Sequence, residues 1–177
     1  MARRESKDTL VSDNTAPAPA DVAVIIVNWN AGPLLAHCLG MLARQTLKPR
    51  RIYVVDNASN DGSCDRIAVD FPNVTLIRAE RNLGFAAANN LAARLAEDCG
   101  WIALLNPDAF AEPGWLEALM RAAARHPEFS FFGSRMLMAD EPARLAGVGD
   151  AYHISGLAWR EGHGAPAAGS FPDEREI

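Results

Sequence analysis

The chain has 177 residues, 49% of them hydrophobic, and a net charge of -5. That length suits one domain with a real core, and the negative balance argues against a nucleic-acid binder, which carries a basic footprint. No apolar run is long enough to span a bilayer, and Cys38, Cys64 and Cys99 fit no metal or redox spacing, so packed thiols in a reducing compartment are expected.

Residues 1–20 mix charges, Ser and Thr with an Ala-Pro-Ala-Pro-Ala tract and have no apolar h-region. They read as a flexible tail, not a secretory signal. The Arg3-Arg4 pair could touch anionic lipid. From Asp21 to Val27 the pattern predicts a central parallel strand that stops at Asn28-Trp29-Asn30. Pro33 opens a helix whose apolar positions are Leu34, Leu35, Cys38, Leu39 and Leu42. A second strand, Arg51 to Val55, runs into the polar loop Asp56-Asn57-Ala58-Ser59-Asn60-Asp61-Gly62. Ser59 and Asp61 are candidate N-caps for a helix that Pro72 closes.

Val74 to Ile77 predicts a short third strand, followed by Glu80-Arg81-Asn82-Leu83-Gly84-Phe85 and an Ala-rich helix from Ala86 to Glu97. The run Trp101-Ile102-Ala103-Leu104-Leu105 reads as a strand buried on both faces. It ends abruptly in Asn106-Pro107-Asp108, because Pro107 cannot donate to a ladder. An amphipathic helix follows from Pro113-Gly114, with Leu116, Leu119, Met120 and Ala123 on one face. Phe129 to Met138 predicts a further strand, and the residues after Asp140 read as loops with a hairpin. Strands alternating with helices at this spacing predict a parallel sheet covered on both faces, with right-handed crossovers.

Three strands then end in polar residues on one edge, at Asn28, Asp56 and Asp108, and that edge is where open α/β sheets bind ligands. Asp108 has two readings: a hard carboxylate that holds Mg²⁺ or Mn²⁺ against a diphosphate, or a helix cap. Asp56 can accept from the N3–H of a uracil or thymine ring, with backbone groups near Asn28-Trp29-Asn30 on the other pyrimidine edge, or serve as a turn residue or Asx cap. Arg81 and Asn82 can reach a phosphate or the base, or Arg81 can be a solvated charge. Gly84 opens a helix N-terminus that attracts anions. There is no G-x-G-x-x-G, Walker loop or G-x-S-x-G. His37 and His126 are expected to face solvent, and the spacing of His153 and His163 makes no zinc site.

Four stretches together resemble inverting family 2 glycosyltransferases of the GT-A fold, in the rhamnosyltransferase-like branch of cell-surface polysaccharide assembly. They are Val24-Ile25-Ile26-Val27-Asn28-Trp29-Asn30, Val54-Val55-Asp56-Asn57-Ala58-Ser59-Asn60-Asp61-Gly62-Ser63, Asn82-Leu83-Gly84-Phe85-Ala86-Ala87-Ala88-Asn89-Asn90 and Leu105-Asn106-Pro107-Asp108. The resemblance implies a nucleotide-sugar-binding domain over 21–139, then a loop-rich extension over 140–177 leading to an acceptor-binding half. It implies donor contacts from Asn28, Trp29, Asn30, Asp56, Asn57, Arg81, Asn82, Gly84, Asn90, Asn106 and Asp108. Asp108 would ligate Mg²⁺ or Mn²⁺ where the family has D-x-D, although Asn106 replaces the first Asp.

The implied donor is a UDP- or dTDP-sugar, and the acceptor a hydroxyl of a glycan or lipid-linked saccharide. The expected location is cytoplasmic, with peripheral attachment at the inner face of the membrane as a variant, and the exposed C-terminal edge is expected to make the chain self-associate or order poorly after Asp140. The general base is expected beyond Ile177, because the only acidic cluster near the end, Asp173-Glu174-Arg175-Glu176, has no helix after it. The chain therefore reads as a donor-binding fragment, inactive alone. A non-catalytic nucleotide-sugar-binding module is the competing reading. A nucleotidyltransferase ranks third, since its glycine- and lysine-rich activation loop is missing.

Overall fold

The computed structural model describes residues 20–171. The tail expected over 1–20 lies outside that range apart from Ala20, as does the acidic cluster at 173–176. The chain divides into two compact units between Glu117 and Ala118, whereas sequence patterning placed a boundary between 139 and 140.

The first unit runs β1 (Ala20–Asn28), α1 (Pro33–Ala43), β2 (Pro49–Asp56), α2 (Ile67–Asp70), β3 (Val74–Arg78), α3 (Phe85–Leu95) and β4 (Trp101–Leu104). The strands form one parallel sheet in the order β3-β2-β1-β4. Every residue of β1 except Asp21 is buried, which is why its sequence is a nearly unbroken apolar run. Its side chains alternate between two cores. Val24 and Ile26 pack with Leu35, Cys38, Leu39 and Leu42 of α1 and Ile67 of α2. Ala23, Ile25 and Val27 pack with Ala88, Ala92 and Ala96 along α3. Burying a side chain such as Ile25 or Ile26 contributes roughly 1.5–3 kcal/mol. Alanines at every fourth position let α3 lie close on the sheet, and Tyr53 Oη donates to Leu95 O at 2.8 Å to close its last turn.

β4 corrects the expectation of a strand buried on both faces. It lies at the sheet edge, and Ile102 and Leu104 are exposed. The loop after β4 is tied down from α1. Buried Gln45 donates to Glu112 O at 2.7 Å and accepts from Leu116 N at 3.0 Å, so the start of α4 (Trp115–Arg125) is fixed to the end of α1. α2 is one turn long, with Arg66 at its N-cap and no side-chain cap bond. Ser59 and Asp61 therefore do not cap it.

The second unit holds two short antiparallel pairs, β5 (Met136–Leu137) with β6 (Leu145–Gly147) and β7 (Asp150–Tyr152) with β8 (Ala158–Arg160). The hairpin expected after Asp140 is the second pair. The strand expected over Phe129 to Met138 is reduced to β5, and Phe131 is 93% exposed. An apolar run without a buried face to occupy does not pair.

Candidate functional site

The sheet order puts the chain reversal between β1 and β4, since β2 and β3 extend to one side of β1 and β4 pairs on the other. Ligands of open α/β sheets bind in the crevice outside the carboxyl ends of strands at such a reversal. The C-terminal ends there are Asn28 of β1, Asp56 of β2, and the Leu105-Asn106-Pro107-Asp108 turn that follows β4. Asn28 and Asp56 are direct register partners, and Leu105 N still bonds to Ile25 O at 3.0 Å.

Asp56 is 3% exposed, and both of its oxygens are engaged. Oδ1 accepts from Ser59 N at 3.0 Å and Oδ2 from Arg78 Nη1 at 2.9 Å. The Asx-cap reading of this residue is thus present in the structure, alongside an ion pair that sequence reasoning missed. The missed signal is the register of two strands: Arg78 ends β3 opposite Asp56. Arg78 also donates to Cys64 O at 3.1 Å, while its own side chain is half exposed.

Asn57 is buried beside it. Its Nδ2 donates to Asn82 Oδ1 at 2.9 Å and its Oδ1 accepts from Leu83 N at 2.7 Å. Asn82 Oδ1 also accepts from Gly84 N at 2.8 Å. Two expected site residues therefore join the loop after β2 to the N-terminal turn of α3. Gly84, the N-cap of α3, has φ 79° and open space where a Cβ would stand. Arg81 is exposed and has no hydrogen bond or ion pair among the described residues. Asn90 lies on the exposed side of α3 and bonds to none of the other candidates, while its neighbour Asn89 is buried and bonds back to Phe85 O at 3.0 Å.

Asn28 is fully buried, and its Nδ2 donates to Ser59 Oγ and Ser63 Oγ, each at 2.9 Å. Trp29 is 59% exposed at the rim. Asn30 follows with φ 53° and is bonded to the loop after β2.

At the other wall, Asn106 O accepts from Cys38 Sγ at 3.6 Å and from Ala109 N at 3.1 Å, which holds the Asn-Pro-Asp turn on α1. Asp108 is exposed and bonds to no backbone N–H among the described residues, so nothing supports the capping alternative. Its charge is close enough to Cys38 to be felt. Burial first, and then Asp108, push the Cys38 thiol up to about 12. His37 packs its ring on Phe110 with centroids 4.4 Å apart, an exposed residue with an aromatic neighbour instead of a free one.

Among the described residues no group of three or more His, Cys, Asp or Glu side chains could hold a metal by itself. A single carboxylate still fits Mg²⁺ or Mn²⁺ whose other ligands are diphosphate oxygens and water, because Mg²⁺ is usually bound through one or two carboxylates plus substrate phosphates. The unengaged Asp108 side chain meets that condition, and Asn106 can add at most a neutral carbonyl.

In the second unit the histidines are tied locally. His153 Nδ1 contacts Ser155 Oγ at 2.8 Å, and His163 Nδ1 contacts Ala146 O at 3.1 Å.

A model of the family described as "Glycosyl transferase family 2" matches residues 23–151. Over 120 residues the chain is 33% identical to the N-acetylglucosaminyl-diphospho-decaprenol L-rhamnosyltransferase of Mycobacterium tuberculosis, covering 62% of this chain and 39% of that protein. It is 28% identical over 144 residues to the galactofuranosyltransferase GlfT1 of the same organism, covering 78% of this chain and 46% of that one. The chain spans less than half the length of both. Among solved structures, S. aureus TarS 1-349 in complex with UDP superposes with a TM-score of 0.52 at 21% identity, covering 60% of this chain and 32% of that chain. That likeness is one of fold, the GT-A arrangement.

Proposed function

The chain belongs to glycosyl transferase family 2, and from that premise we propose that its first unit is the donor-binding part of an inverting glycosyltransferase. The donor is a UDP- or dTDP-sugar, and the acceptor is a hydroxyl of a glycan or lipid-linked saccharide. The relatives named for rhamnosyl transfer to a decaprenol-linked sugar and for galactofuranosyl transfer favour this acceptor class. A cytoplasmic location, with contact at the inner face of the membrane where such an acceptor lies, belongs to the same proposal. So does self-association. Among the described residues no helix is long and apolar enough to cross a membrane.

The observation that carries the reading is the gathering of Asp56, the Asn28-Trp29-Asn30 turn and Asp108 at the C-terminal ends of β2, β1 and the β4 run, on the two sides of the sheet's reversal. Asp56 is the residue for the N3–H of the pyrimidine. Its two internal bonds orient the carboxylate and leave one lone pair on each oxygen. Trp29, Asn30, Asn57, Asn82, Gly84 and Arg81 frame the nucleotide, while Asn90 borders the sugar side. Asp108 and Asn106 stand at the diphosphate. A bound divalent cation would neutralise charge on the departing diphosphate. In the transfer, the acceptor oxygen attacks the anomeric carbon in line, the bond to the diphosphate oxygen breaks, and the acceptor proton goes to a base. No described residue is assigned as that base.

Calorimetry with UDP, dTDP, GDP and ADP, with and without Mg²⁺, tests the proposal. UDP or dTDP should bind, GDP and ADP should bind at least tenfold more weakly, and a chelator should weaken UDP or dTDP binding. Asp108→Asn should match the chelated protein. Equal purine binding overturns the pyrimidine assignment, and metal-independent affinity overturns the role of Asp108.

A further inference from the structure

The loops after β1 and β2 are joined by side chains, not by a ladder. Asn30 Oδ1 accepts from Asn60 N at 2.9 Å. In return, Ser59 Oγ accepts from Asn30 N at 3.1 Å and Asp61 Oδ2 from Gly32 N at 2.7 Å. Ser63 Oγ donates to Asp61 Oδ1 at 2.6 Å, so its one proton is committed there. Its oxygen must then accept from Asn28 Nδ2, which fixes the carboxamide and leaves Asn28 Oδ1 buried without a partner among the described residues. The ring of bonds thus runs from Gly32 through Asp61, Ser63, Asn28 and Ser59 back to Asn30.

The backbone inside this ring is strained. Among the described residues, Asn30 at φ 53° and Ala58 at φ 62° are the non-glycine residues with positive φ, one in each loop. A left-handed alanine persists only where its surroundings over-determine it, and such outliers concentrate at functional sites. A helix cap would need one bond from Asp61 to α1. It would not need a second loop held in register by reciprocal bonds, nor an unsatisfied buried oxygen.

We propose that Asp61 is a positioning residue: its carboxylate locks the two strained loops into one preformed frame that sets Trp29 and Asp56 for the nucleotide. The inference rests on the donor-binding reading above. Without the lock the loops would have to order on binding, and the cost would appear as lost affinity.

Asp61→Ala in the 177-residue chain tests it with two readouts. Amide hydrogen exchange at Asn30, Gly32 and Asn60 should accelerate at least tenfold, while core amides such as Val24 and Val54 are unchanged. The calorimetric Kd for UDP or dTDP with Mg²⁺ should weaken at least tenfold. Asp70→Ala, which removes an exposed carboxylate paired to Arg66 outside the ring, should change neither. Faster exchange with affinity within twofold of the unmutated chain overturns the positioning role, and unchanged exchange overturns the lock. If neither nucleotide binds the unmutated chain, it is the donor reading that fails, and the exchange result still decides the lock. Should Asp61→Ala fail to fold, Ser63→Ala is read in the same way. It removes the hydroxyl bonds to Asn28 and Asp61 while sparing the Ser63 amide bond to Asp61 and the Gly32 bond, so smaller changes of the same sign are expected.

Discussion

Asp56 holds its loop and is proposed to meet the pyrimidine, and substitution can separate the two roles. Its side chain is only 5% exposed, against 56% for its partner Arg78, so the loss of the carboxylate falls mainly on Ser59 N and on the buried site. Asp56→Ala should lower stability by about 2 kcal/mol, the scale of a hydrogen bond to a charged group, measured by urea unfolding. It should also weaken UDP binding by roughly 1.5–3 kcal/mol if the carboxylate meets the base. Arg78→Ala should cost less stability, because half of that side chain is already in water. A stability loss with unchanged UDP affinity would leave Asp56 a turn residue only. The cysteines give a second residue-scale test. Burial raises the Cys38 thiol to about 12 and the Cys64 thiol to about 11, with Asp108 and Asp56 respectively adding to it. Thiolate is the reactive form, so at pH 8 an aromatic disulfide reagent should label Cys99 alone in the folded protein and all three thiols after unfolding. Early labelling of Cys38 would mean that the Asn-Pro-Asp turn lifts off α1. The polar strand ends were legible from residue type and spacing. Their partners were not, because Arg78 and Ser59 reach Asp56 through strand register and loop shape, which a linear pattern does not encode.

Among the elements, the long apolar strands and the helices with regular spacing stood out in the sequence: β1 buries its apolar run and α1 buries Leu35, Cys38, Leu39 and Leu42, while Leu34 stays exposed. Departures from the pattern have physical reasons. β4 lies at an edge, so the apolar residues of its α3 side, Ile102 and Leu104, stay exposed. Ser59 and Asp61 have the composition of helix caps, but their loop crosses to the loop between β1 and α1, where they accept from Asn30 N and Gly32 N. Asp61 is held below the usual carboxylate range by the Ser63 hydroxyl and amide, and by Gly32 N. Gln45 shows how much one polar side chain can organise. It carried no signal in the sequence, yet it is 2% exposed and bridges the end of α1 to Glu112 O and Leu116 N. Gln45→Ala leaves the buried Leu116 amide unpaired and should cost about 2–3 kcal/mol. The loss should appear in urea unfolding and in faster exchange at Leu116, with Ala88 and Ala92 of α3 unaffected. Equal acceleration across both helices would mean that Gln45 acts on the whole sheet and not on the α1–α4 junction.

At the scale of the whole molecule, donor binding and sugar transfer make different demands on the chain. Binding needs the crevice at the carboxyl ends of β2, β1 and the β4 run, which lies within one compact unit. Transfer also needs a base within hydrogen-bond reach of the acceptor hydroxyl and a surface that holds that hydroxyl in line with the anomeric carbon. The described part of the second unit consists of most of α4, two short antiparallel pairs and loops, and the Nδ1 atoms of His153 and His163 are occupied by local contacts. The chain matches 39% of the length of the rhamnosyltransferase it resembles. The expected result is therefore that the 177 residues bind UDP or dTDP in the presence of Mg²⁺ and transfer no sugar. A panel of UDP- and dTDP-sugars with lipid-linked acceptors measures this, run beside a chimera in which the remaining length of that relative follows residue 177. Activity in the chimera alone would locate the base and the acceptor wall in the added part. Comparable turnover by the 177-residue chain would place the base within these 177 residues, Asp173 included. His153→Ala and His163→Ala would then be the first variants to assay, since a base must give up its present Nδ1 contact or act through Nε2.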